Sequence, residues 1–166
     1  MIEEVILVDE FDNSIGTMEK LEAHQKGVLH RAFSIFLFNK QGELLIQRRS
    51  LIKYHSAGLW TNTCCSHPRP NEKTLDAAKR RLKEEMGIET ELIYKTHFTY
   101  KAKFENNLTE FEFDHIFTGI YTKSPEINLE EVDDFNWISL PDLKEKIKIN
   151  PETFTVWFKI AVEKLF

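Results

Sequence analysis

The sequence predicts an α/β or α+β sandwich, with mixed strands and helices on either side. Two patterns carry that reading. Short apolar runs alternate with stretches of helical periodicity, and one stretch, Thr74–Met86, has a full helical pattern closed by Gly87. The length agrees, because 166 residues suit one domain around a single core.

Taken in order, Glu3–Asp9 reads as a short apolar strand that ends in the turn Asp12-Asn13-Ser14. Ala32–Phe38 is nearly all apolar, as expected of a strand covered on both faces. Asn39–Gly42 is a turn, and Glu43–Arg49 is its hairpin partner. Ser50–Gly58 is a polar loop. In the helix Thr74–Met86, Thr74 is the expected N-cap and Leu75, Ala78, Leu82 and Met86 form the buried stripe. Glu91–Phe104 and Glu110–Tyr121 read as two longer strands around Glu105-Asn106-Asn107-Leu108, and Val132–Ile138 as another. Leu140–Lys148 and Thr153–Phe166 are expected helices, with Pro151 suited to the start of the last.

Composition narrows the function. A hydrophobic fraction of 42% and a charged fraction of 30% are ordinary for a globular protein. A net charge of -5 disfavours nucleic acid as a partner. No apolar stretch approaches the ~20 residues that span a bilayer, and Met1-Ile2-Glu3-Glu4 has no signal-peptide character, so a cytoplasmic protein is expected. The two cysteines, Cys64 and Cys65, are adjacent. A bridge between neighbours closes a strained ring, so a free thiol is expected.

The chemistry concentrates in Trp60-Thr61-Asn62-Thr63-Cys64-Cys65-Ser66-His67-Pro68, where a thiol lies two residues from an imidazole. His24 and His30 would face different sides of a regular helix, and Gly27 between them permits an irregular segment on which they converge. His55, His97 and His115 read as structural or surface residues. In the alternating run Glu110-Phe111-Glu112-Phe113-Asp114, period two puts the three carboxylates on one strand face and the two phenylalanines on the other. Imidazoles with carboxylates suit a divalent transition metal such as Mn²⁺ or Zn²⁺.

The run Ser66-x5-Glu72-x7-Arg80-Arg81-Leu82-Lys83-Glu84-Glu85-Met86-Gly87-Ile88 resembles the Nudix box, Gly-x5-Glu-x7-Arg-Glu-aliphatic-x-Glu-Glu-x-Gly-aliphatic. Serine replaces the leading glycine, and Arg81 replaces the first glutamate of the Arg-Glu pair. Such a box sets hard oxygen ligands on a helix to hold Mg²⁺ on a diphosphate. Together with Leu29–Ser34, Leu44–Arg49 and the cysteine-histidine run, the chain resembles the type I isopentenyl-diphosphate isomerases, a branch of the Nudix fold, from about Gly16 to Trp157.

That resemblance implies a Nudix-type mixed β-sheet sandwich flanked by helices, with residues 1–166 as one compact domain. It implies His24, His30, His67, Glu110 and Glu112 as metal ligands for Mn²⁺, Zn²⁺ or Mg²⁺. It implies Cys65 and Glu112 as the catalytic pair with Tyr100 as proton relay, and Glu85 as the carboxylate that helps hold Mg²⁺ on the substrate. Lys20, Arg49, Lys53 and Arg81 would contact the diphosphate, and Trp157 would line the substrate pocket. Arg48 and Arg49 must point oppositely on a strand, and the resemblance favours Arg49. The implied partner is a small isoprenoid diphosphate, with no flavin, no membrane and no nucleic acid, and the chain acting as a monomer.

The implied reaction adds a proton to C4 of an alkene and removes one from C2, which calls for an acid and a base on opposite faces of a flat hydrocarbon. Two other readings compete. A Nudix hydrolase of a small diphosphate needs activated water but no thiol, and usually keeps a carboxylate where Arg81 stands. A non-catalytic ligand-binding module needs neither Cys65 nor Glu112.

Overall fold

The computed structural model describes residues 2–166. Strands β1 (Glu4–Val8) and β2 (Ser14–Glu19) form an antiparallel hairpin, and α1 (Lys20–Lys26) follows at once. Glu19 caps α1 by accepting from the backbone N–H groups of Leu21 and Glu22. Strand β3 (His30–Phe38) leads to β4 (Leu44–Arg49), the short β5 (Trp60–Thr61) and β6 (Cys64–Ser66). Next come α2 (Thr74–Met86), β7 (Ile93–Lys103), β8 (Thr109–Ile120) and β9 (Val132–Ile138). Helix α3 (Leu140–Ile149), a 3-10 turn at Pro151–Thr153 and α4 (Val156–Leu165) complete the chain.

The sheet turns on β3. It pairs in parallel with β8 along its full length, from His30 opposite Glu112 to Phe38 opposite Ile120. Its other edge takes β6, with Ser34 opposite Cys65, and touches β1 where His30 meets Leu7. β7 extends the sheet beyond β8, with Tyr100 opposite Glu112. The expected hairpin between Ala32–Phe38 and Glu43–Arg49 is paired at one position only, Phe38 with Leu44. Beyond that point the strands splay, and β4 pairs instead with β5 and β9.

Side-chain alternation divides the core in two. Phe33, Ile35, Leu37 and Cys64 face α2, against Ala77, Ala78, Leu82 and Met86. Phe36, Tyr100 and Ile116 face α4, against Trp157, Phe158 and Ala161. Thr155 docks α4, its N–H donating to the Trp60 carbonyl and its hydroxyl to that of Thr61. No helix of the described residues is long and apolar enough to cross a membrane.

Several expectations change. Lys73, not Thr74, is the N-cap of α2, in extended conformation and without a side-chain cap bond. Leu75 is exposed, because the buried face is set by Ala77, Ala78, Leu82 and Met86, with Glu85 turned inward. The last helix begins at Val156 rather than Thr153, because the 3-10 turn and extended Phe154 intervene. β2, α1, β5 and β6 were not anticipated as separate elements.

Gly27 ends α1 at φ 63°, in the left-handed region. The sharp exit lets a helix residue, His24, and the first residue of β3, His30, point to one place. An added Cβ would sit 3.3 Å from two side-chain carbons of Thr109. Gly27→Ala is therefore expected to lower stability by about 1 kcal/mol, read by chemical denaturation.

Candidate active site and metal centre

Three imidazoles and two carboxylates converge where α1, β3, β8 and the segment after β6 meet. His24 and His30 are fully buried, and Glu110 and Glu112 nearly so. The Nδ1 of His24 donates to the Lys20 carbonyl at 2.7 Å, and that of His30 to the Val28 carbonyl at 2.8 Å. Both backbone contacts fix the tautomer, so each ring turns an Nε2 inward. Glu112 Oε2 lies 3.0 Å from His30 Nε2 and 2.7 Å from His67 Nε2. His24 Nε2 is 3.9 Å from both Glu110 Oε1 and Glu112 Oε2, and it is buried with no hydrogen-bond partner.

This arrangement tests the metal reading physically. A neutral imidazole lone pair that faces a carboxylate oxygen sets acceptor against acceptor, and an orphaned buried nitrogen is costly. A cation among them resolves both. The ligand atoms of His24, His30, His67 and Glu112 lie within 4.8 Å of one another. The donor set fits a divalent metal.

The electrostatics agree. Burial, reinforced by the His67 charge, lowers the His24 pKa to about 3, so its lone pair is free at neutral pH. Burial works against a proton on His30 too, but its bond to Glu112 wins and raises it. Glu112 is buried, yet the neighbouring His67 and His30 hold its carboxyl well below the usual range. For Glu110, burial and the Glu112 charge push the carboxyl up. Metal binding here would displace protons from imidazole.

Beside the cluster lies a narrow pocket lined by Cys65, Tyr100, Glu112 and Trp157 together with Lys20, Arg49, Lys53, Arg81 and Glu85. Alternation along β6 sends Cys64 into the α2-side core and Cys65 into this pocket. Burial pushes the Cys65 thiol far up, more than the Arg49 charge can offset, so it stays protonated. The Tyr100 hydroxyl donates to Glu112 Oε1 at 2.6 Å and lies 3.1 Å from Glu110 Oε2. Burial also pushes its phenol well up. The Trp157 ring lies 5.2 Å from the Arg49 guanidinium carbon, so this indole already faces a cation. Arg48 points away to Asp133. A larger open groove of about 560 Å³ lies elsewhere, lined in part by Asp12, Arg31 and His115. Asp12 pairs there with both Arg31 and His115.

The carboxylates of the Nudix-like segment are paired with arginines. Glu72 is bound twice by Arg80, at 2.8 Å each. Glu84 is bound by Arg81 at 2.6 Å. Glu85 turns inward, accepting from Arg81 at 2.6 Å and from Gln47 at 3.0 Å. It belongs to neither group of candidate metal ligands among the described residues.

Two site residues escaped the sequence. Glu131 pairs with Lys53 and lies 3.4 Å from Arg81, yet it sits in a loop with no motif. His55, read as structural or surface, lies 3.4 Å from Glu110. No local pattern distinguishes it from any histidine in a polar loop.

Residues 28–158 match the NUDIX domain family. A protein from Aromatoleum aromaticum named isopentenyl-diphosphate Delta-isomerase 2 is 49% identical over 99% of this chain and 87% of its own length. One of the same name from Photorhabdus laumondii is 52% identical over 99% of this chain and 93% of its own. The chain belongs to the isopentenyl-diphosphate Delta-isomerase branch of the Nudix family. The fold agrees with this membership. The crystal structure of DR0079 from Deinococcus radiodurans superposes with a TM-score of 0.83 at 20% identity, covering 99% of each chain. That of a MutT protein from Methanosarcina mazei gives 0.64 at 20% identity, over 82% of this chain and 91% of the other.

Mn²⁺ or Zn²⁺ at about 100 times its Kd is expected to stabilise the metal-free protein by about 2.7 kcal/mol, seen as a rise in Tm. His24→Asn should remove most of that rise. A Tm shift untouched by the substitution would exclude the cluster as the binding place.

Proposed function

We propose that the chain interconverts isopentenyl and dimethylallyl diphosphates by protonation and deprotonation of the alkene. One observation carries the reading: the Cys65 thiol and the Glu112 carboxylate share one pocket with the four cationic side chains Lys20, Arg49, Lys53 and Arg81. The substrate's two ends ask for both kinds of group. Lys20, Arg49, Lys53 and Arg81 suit the diphosphate, with Mg²⁺ on its oxygens held in part by Glu85. Cys65, Tyr100 and Trp157 suit the hydrocarbon.

Cys65 and Glu112 act as the proton-transfer pair. The reaction is reversible, so each is the acid in one direction and the base in the other. Burial keeps the proton on Cys65 in the resting state, while Glu112 rests ionised. Tyr100, donating to Glu112, fixes the carboxylate's orientation and offers a path for its proton. The indole face of Trp157 stabilises positive charge that develops at the tertiary carbon. His24, His30, His67, Glu110 and Glu112 would hold a divalent ion, Mn²⁺, Zn²⁺ or Mg²⁺, which when bound sets the position and proton affinity of Glu112. No flavin is required. The free thiol suits a reducing compartment such as the cytoplasm.

Hydrolysis is the weaker reading, because Arg81 stands where a hydrolase usually keeps a carboxylate and a hydrolase has no need of the Cys65 thiol. Incubation of the protein with Mg²⁺ and isopentenyl diphosphate separates the two. Dimethylallyl diphosphate is the expected product, and release of phosphate would instead mean hydrolysis. Cys65→Ala and Glu112→Gln are each expected to lower turnover by about 10²–10⁴-fold with the fold retained, and near-wild-type rates would refute the pair. In deuterated water the product should carry solvent deuterium, and a product without it would exclude proton addition and elimination.

A further inference from the structure

His55 lines the pocket and approaches both Arg49 and Glu110. It lies in the loop 50–58, which backbone bonds from Arg49 to Leu59 and from Gly58 to Arg49 close at the end of β4. Its ring centroid lies 4.6 Å from that of Tyr54, 5.4 Å from Phe104 and 5.8 Å from Trp157. These rings hold it with only 9% of its side chain exposed. On one side Arg49 Nη2 lies 3.2 Å from His55 Nδ1 and 3.3 Å from the His55 carbonyl. On the other, His55 Nε2 is 3.4 Å from Glu110 Oε1.

The ligand atoms of His24, His55 and Glu110 also lie within 4.8 Å of one another, so His55 could be read as a further metal ligand. Arg49 decides against that. A guanidinium only donates, so Nδ1 of His55 must accept and the ring hydrogen sits on Nε2. An Nε2 that carries hydrogen offers no lone pair to a metal, but it can donate to a carboxylate. From this geometry we propose that His55 is a positioning residue that ties the diphosphate-binding Arg49 to the metal-ligating Glu110, donating from Nε2 and accepting at Nδ1. A carboxylate so held presents its other oxygen in a fixed direction, and the loss of such an outer contact typically weakens metal binding by about 10–100-fold. The inference rests on the reading of Glu110 as a metal ligand and of Arg49 as a diphosphate contact.

The two links can be cut separately. His55→Phe keeps the ring packing and loses both. His55→Gln sets an amide N–H near the Nε2 position and restores only the donor to Glu110. His55→Asn sets a carbonyl oxygen near Nδ1 and restores only the acceptor for Arg49. Mn²⁺ affinity is measured by calorimetric titration of the metal-free protein, and kcat and KM for isopentenyl diphosphate at saturating metal. The Phe variant should bind Mn²⁺ about tenfold more weakly or worse and show KM raised roughly tenfold. The Gln variant should recover Mn²⁺ affinity but keep the raised KM, and the Asn variant should do the reverse. A Phe variant with wild-type Mn²⁺ affinity reduces His55 to packing and overturns the proposal. A Gln variant as weak as Phe makes His55 a direct ligand and also overturns it. Wild-type protein that takes up no Mn²⁺ removes the metal reading and this inference with it.

Discussion

The parallel register of β3 against β8 is the constraint from which the site follows. It fixes His30 directly opposite Glu112, and in a pleated sheet paired residues point to the same face. β8 is held on both edges, so Glu112 has no backbone freedom with which to turn toward water. A carboxylate in that position needs partners with hydrogen or charge. The chain supplies them from three other directions: His24 from the end of α1, His67 from beyond β6, and Tyr100 from β7. A register slip by one residue would turn the carboxylates to the opposite face and leave the histidines without their oxygens.

The segment that carries Cys65 is fixed by polar groups inside the core. Asn62 donates to the carbonyls of Ile35 and Cys64, and the Thr63 hydroxyl links the Leu45 carbonyl to the Leu37 N–H. These contacts bridge the place where β3 and β4 diverge, which would otherwise leave backbone groups buried and unpaired. They hold a very short strand rigidly enough for one cysteine to point each way.

The parts of this architecture legible in the sequence are those that repeat with a simple period. Alternation in Glu110–Asp114 put the carboxylates on one face, and the stripe on α2 marked a buried helix. Yet the same alternation suits a solvent-facing edge strand, and what spoke against that was the set of histidines elsewhere in the chain that could share a metal with these carboxylates. The fold buries that face under α1 and the loop after β4. Features that depend on distant partners left no local trace. Residues Ser14–Glu19 are largely exposed and pair only because β1 is there. The N-terminus of α2 forms without the side-chain cap that its sequence suggested. His55 and Glu131 acquire their meaning from Glu110, Arg49, Lys53 and Arg81, residues far along the chain or on other elements. His24 and His30 were the intermediate case, because Gly27 signalled a bend but not its direction.

The arginine pairs on α2 have a consequence for the chemistry of the whole family fold. Arg81 stands where a Nudix hydrolase usually keeps a carboxylate, and its guanidinium holds Glu84 and Glu85 at 2.6 Å each. An allylic pyrophosphate ester is fragile and ionises readily. A fixed guanidinium at that place can hold such a leaving group without recruiting the ion that would drive water onto it.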